Sequence, residues 1–137
     1  MSKRRLIDTN LIVRYLVQDH PRHAQAANKL FAACDQGEIT LVLLPAVLAE
    51  AVFVLESFYK KQRIDIAAAL KLLLGSPGIE IPEPIVHADA LDRYSKTKVH
   101  FVDCLIAAHA AVSKLPIATF DSDFKKFPDV TVAINVD

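Results

Sequence analysis

With 137 residues, 53% of them hydrophobic, the chain is long enough to bury one core, and no break in composition marks a second, so it reads as a single domain over 1–137. Sixteen basic and sixteen acidic residues cancel, which excludes the strongly basic signature of many nucleic-acid binders and leaves any such role to local sites. No apolar run reaches the roughly 18 residues needed to span a bilayer, and "MSKRRLID" lacks the apolar core of a signal peptide, so a soluble, cytoplasmic protein with no membrane partner is expected.

In chain order, "RRLI" predicts strand 1 and "TNLIVRYLVQD" helix 1. "PRHAQAANKLFAACDQGE" predicts helix 2, stopped near Gly37, and "ITLVLL" strand 2. Pro45 suits the first turn of a third helix carrying "AVLAEAVFVLESFYKK", and Asp65 opens a fourth through "IAAALKLLLGS". "GIEIP" is a short strand 3, "EPIVHADALDRYSKTK" and "FVDCLIAAHAAVSK" are two more helices, "LPIATF" is strand 4 and "VTVAIN" strand 5. Cys34 and Cys104 both sit in apolar helical pattern and read as core thiols, not as a disulfide or zinc pair. Apolar strands separated by helices imply a parallel sheet covered on both faces, a three-layer α/β/α domain with a central five-stranded sheet.

Open parallel sheets bind ligands outside the carboxyl ends of their strands. Asp8 follows strand 1 directly in "LIDTN" and Asp121 follows strand 4 in "ATFDSD", which places both on one rim. Glu50 shares a helical stripe with Val47 and Val54 and is expected to face inward; Asp103 shares one with Val99, Ile106, Ala107 and Ala110. Each acid taken alone has a structural alternative: helix capping for Asp8, Asp103 and Asp121, a solvated helix face for Glu50. Together they make a cluster of like charges that needs a cation. Carboxylates without His or Cys select hard ions, Mg²⁺ or Mn²⁺, which points to phosphodiester hydrolysis.

The segments "LIDTNLIVRYL", "LPAVLAEAVFVLE", "FVDCLIAAHA" and "ATFDSDF" resemble, in order and spacing, the four signature segments of PIN-domain ribonucleases. The short chain with "DTN" near its start is most similar to VapC-type toxins of bacterial toxin–antitoxin pairs. That resemblance implies Asp8, Glu50, Asp103 and Asp121 as catalytic and metal-site acids, with Thr9, Asn10, Thr119 and Asp123 in support. It further implies sheet order 3-2-1-4-5, a homodimer, an RNA substrate cut by metal-activated water, and a cognate antitoxin protein seated in a groove. Lys60, Lys61, Arg63, Lys96, Lys98, Lys125 and Lys126 are candidate phosphate contacts or plain surface charges. Arg14 is either a substrate contact or the partner of a nearby acid.

Other classes fit less well. A haloacid-dehalogenase-type phosphatase needs a second acid where Asn10 stands, and a receiver-type domain needs a lysine that "VTVAINVD" lacks. The remaining rival is a PIN-like RNA-binding or interaction module without turnover.

Overall fold

The computed structural model describes residues 3–136, and its backbone gathers into two units, Met1–Pro82 and Glu83–Asp137. In the first unit β1 (Lys3–Leu6) pairs in parallel with β2 (Ile39–Val42), and β2 with β3 (Ile79–Glu80), giving the order β1-β2-β3. Lys3 stands opposite Ile39, and Leu41 opposite Ile79. The ladder runs past the strand ends, where the Ile7 N–H donates to the Val42 carbonyl at 3.1 Å and the Leu43 N–H to that of Glu80 at 2.8 Å. β2 buries Ile39 and Leu41, as a covered strand should. β1 departs from the expectation of uniformly apolar strands: its sequence is Lys-Arg-Arg-Leu and all four residues are exposed. Its Arg4 instead forms a two-pronged contact with Glu80 of β3, Nε to Oε2 at 3.0 Å and Nη2 to Oε1 at 2.6 Å.

Local chemistry sets the helix ends. α1 (Thr9–Val17) starts at the Asp8 cap and ends where Gln18 turns left-handed. α2 (Pro21–Asp35) ends in a Schellman motif: Gly37, at φ +78, donates to the Cys34 carbonyl at 3.1 Å and Glu38 to that of Ala33 at 2.9 Å. α3 (Pro45–Ser57) opens on its proline and stops four residues short of the expected Lys61, because Lys60 adopts φ 56 and the Lys61 N–H folds back onto the Leu55 carbonyl. α4 (Arg63–Leu74) begins ahead of Asp65, which lies in its first turn. Their apolar faces bury Ile12, Phe31, Leu48, Leu55, Ile66 and Leu70, each contributing roughly 1.5–3 kcal/mol relative to exposure. Gly78 marks a close approach: a Cβ there would stand 2.5 Å from the Cys34 carbonyl oxygen and closer still to its Sγ. Glycine lets the chain pass and keeps the Leu41 N–H bonded to the Gly78 carbonyl at 2.9 Å.

In the second unit α5 (Pro84–Lys96) packs on α6 (Phe101–Ser113). Ala90 of α5 and Ala107 and Ala108 of α6 are all buried, and Tyr94 lies edge-on to Phe101 with ring centroids 5.9 Å apart. A 3₁₀ helix, Ser122–Lys126, buries Phe124, and Phe127 follows it into the core. Arg93 of α5 ties down this end of the chain. It donates from Nη1 and Nη2 to Asp129 at 2.8 and 2.5 Å and from Nε to Asp89 at 2.8 Å, and lies 5.2 Å from the Phe127 ring centroid.

The expected strands 4 and 5 reduce within this unit to one parallel bridge, Ile117 to Val132, closed by Ile117 N–H to Thr131 carbonyl at 2.7 Å and Ala133 N–H to Ile117 carbonyl at 2.9 Å. The sheet of the described residues therefore has three strands, not the five expected. Pro116 has no N–H to extend the ladder, and Val132 and Ile134 remain 41% and 49% exposed, so little burial drives a longer pairing. Among the described residues no helix is long and apolar enough to cross a membrane.

Candidate functional site

Asp8 and Glu50 belong to the first unit. Asp8 caps α1, its Oδ1 accepting from the Leu11 N–H at 2.9 Å, so the capping role foreseen for it is real. That bond occupies one carboxylate oxygen and leaves Oδ2 outside it. Thr9 is the first helical residue, and Asn10 joins Asp8, Arg14 and His23 around a recess of about 210 Å³. Arg14 is the partner of an acid: its Nη1 donates to Asp19 Oδ1 at 3.1 Å and to Tyr59 Oη at 3.2 Å, while the Tyr59 hydroxyl donates to Asp19 Oδ2 at 3.0 Å. Burial works against the charge of Asp19, but the bonds from Tyr59 and Arg14 prevail and hold its carboxyl below the ordinary value.

Glu50 corrects the inward-facing expectation, because it is exposed. The buried stripe of α3 is Leu48, Ala51, Val52 and Leu55; Val47 and Val54 lie half-buried on its flanks, and Glu50 shares the open face with Ala46 and Phe53. A helix that is apolar nearly all round gives no sequence signal of which face is covered.

The second unit carries Asp103, Asp121 and Asp123, and the charges of the latter two act on the first. Asp121 caps the 3₁₀ helix, its Oδ1 accepting from the Asp123 N–H at 2.8 Å, and its own N–H donates to Thr119 Oγ1 at 3.0 Å. Thr119 and Asp123 thus both hold Asp121 in place. Asp123 also faces Lys126, with Nζ 3.5 Å from Oδ1. Asp103 is half-buried in the first turn of α6, whose cap is His100. Capping, left open as its alternative role, is therefore not its task. A carboxylate in a first helical turn is favoured by the helix dipole. Nevertheless burial, followed by the charge of Asp121, pushes the Asp103 carboxyl above its ordinary 3.8; Asp123 adds to this and His100 opposes it.

Among the described residues, neither unit by itself holds three His, Cys, Asp or Glu side chains within metal-binding reach of one another. The donor chemistry nonetheless fits a hard divalent cation. Asp103, Asp121 and Asp123 offer only oxygen, and the raised proton affinity of Asp103 comes first from burial and then from the charges of Asp121 and Asp123, which a bound cation would offset. Sequence reasoning missed Arg93, whose bond to Asp129 spans 36 positions and leaves no local trace. Its link to Asp89 lies at helical i,i+4 spacing and was the available signal.

A family model described as "PIN domain" matches residues 5–130, and the chain belongs to that family. Among curated proteins it is similar to one named "VapC ribonuclease" from Aquifex aeolicus (strain VF5), at 26% identity over 129 residues that cover 93% of this chain and 95% of that protein. No solved structure gives a significant match.

Proposed function

We propose that the chain is a metal-dependent endoribonuclease, the toxin of a toxin–antitoxin pair, acting on RNA in the cytoplasm. The observation that carries the reading is the half-buried Asp103, raised in proton affinity beside Asp121 and Asp123 in a member of the PIN family. In this reading the chain acts as one nuclease domain, for which the family resemblance implies a sheet of order 3-2-1-4-5, and Asp8, Glu50, Asp103 and Asp121 are its metal-site acids. Mg²⁺ or Mn²⁺, when bound, supplies Lewis acidity toward water and a phosphoryl oxygen. The protein's part is to hold the carboxylates. Asp8 is fixed by the Leu11 N–H and Asp121 by Thr119 and the Asp123 N–H, which sets their oxygens before the substrate arrives.

The antitoxin seat is a groove of about 910 Å³ in the first unit, lined by Tyr15 and Leu16 of α1, Phe31 of α2, and Leu72 and Leu73 of α4. Leu72, 81% exposed, offers apolar surface of the kind an amphipathic helix covers. A homodimer contact completes the expected assembly.

Purified protein incubated with single-stranded RNA and excess chelator should not cleave, and adding Mg²⁺ or Mn²⁺ should restore cleavage. Cleavage that persists through exhaustive chelation overturns the metal role. RNA bound and left intact in the presence of either ion supports the binding-module reading instead.

A further inference from the structure

Phe120 has no structural task that explains it. Its side chain is 95% exposed, more than any other aromatic residue of the chain among those described. Leaving a phenyl ring in water forgoes the stabilisation that burial provides, so such a ring, when held in one place, commonly serves a contact. Phe120 is held. On one side Ile117 is locked by two backbone bonds to the Thr131–Ala133 segment; on the other, Asp121 is fixed by Thr119 and caps the 3₁₀ helix.

We infer that Phe120 is a stacking residue for a nucleobase of single-stranded RNA beside the bond to be cut. The inference rests on the nuclease reading above and specifies how substrate is gripped. Phe120 directly precedes Asp121 and is three positions from Asp123, so its Cα lies within about 4 Å of that of Asp121, close to where a scissile phosphate must come. A nucleotide presents a flat apolar face and a charged backbone a few ångströms apart. The segment carries both kinds of group, an exposed ring at Phe120 and, on the 3₁₀ helix that follows, the exposed Lys125. The neighbours Thr119, Asp121 and Ser122 are polar, which suits a lone base better than the broad apolar face of a protein helix. Stacking is indifferent to base identity, so the contact positions the strand without reading its sequence.

The test measures binding of a fluorescently labelled single-stranded RNA of mixed sequence to the intact protein by anisotropy in Ca²⁺, and cleavage of the same RNA in Mn²⁺. Wild type is compared with Phe120→Ala, Phe120→Leu and Phe120→Trp. Stacking predicts that Ala and Leu weaken binding about five- to hundredfold, that Trp retains it, and that melting temperatures stay unchanged. Leu equal to wild type would show that apolar area suffices, and overturns the proposal. So does an Ala variant with unaltered RNA binding, including one whose only defect is in self-association by sedimentation. If wild type binds RNA through Phe120 but never cleaves it, the nuclease reading falls and the stacking contact stands. If it cleaves and the variants are unaffected, the reverse holds; if it neither binds nor cleaves, both fall.

Discussion

Asp129 and Asp103 lie in the same unit and are pushed in opposite directions. Arg93 grips Asp129 with two hydrogen bonds and holds its carboxyl below the ordinary value, although burial works the other way. Asp103 has burial and two more acids around it, with only His100 in opposition, and its carboxyl is raised. One carboxylate is satisfied by the fold, and the other is left to be satisfied from outside. In the proposed reading, that difference separates an acid that serves stability from one that serves the metal site.

The sharpest way to break the comparison is Asp103→Asn. It keeps the shape and deletes the charge, so RNA cleavage should fall by at least about a hundredfold. The melting temperature of metal-free protein should meanwhile rise by a few degrees, about 1 kcal/mol. Cleavage near the wild-type rate would remove Asp103 from the site, and a clear loss of stability would mean that its charge already has a partner within the fold.

Arg93→Ala should do the opposite. It leaves Asp129 and Asp89 without their cation and uncovers Phe127, and since both acids are partly exposed the cost should be about 1–3 kcal/mol in urea unfolding. Cleavage measured well below the transition should drop less than it does in Asp103→Asn.

The smallest effect, under about 1 kcal/mol, is in the pH dependence. For Asp129 the folded state binds its proton less tightly than the unfolded chain, so its contribution is present above 3.8 and is lost as pH falls through the lowered value. For Asp103 the folded state binds the proton more tightly, so stability declines as pH rises from 3.8 through the raised value. Melts of metal-free protein across both windows should show Arg93→Ala flattening the first slope and Asp103→Asn the second. Exchange of those assignments would overturn the contrast.

Much of the fold is legible in the sequence, for identifiable reasons. Pro21, Pro45 and Pro84 each open a helix and Gly37 follows the end of one, because proline and glycine restrict or free the backbone whatever surrounds them. The capping of Asp8 and Asp121 is local in the same way. Glu50 was misplaced because the covered side of α3 depends on what packs against it, which its own apolar sequence does not record. The last two strands are seen only as the bridge from Ile117 to Val132 because a ladder's length rests on burial: "VTVAIN" has the composition of a strand, but Val132 and Ile134 stay largely in solvent. Phe120 looked like a strand residue, and the polar stretch that follows it was the one hint of a ring left in the open.

The contact at Gly78 also equips the first unit with a native probe. Cys34 is 1% exposed and burial raises its thiol pKa, so it stays protonated and sheltered beneath the backbone at Gly78. A thiol-alkylating reagent can reach it only when α2 lifts from that turn. The rate of alkylation in the native protein therefore reads how often this part of the molecule opens, with no label introduced.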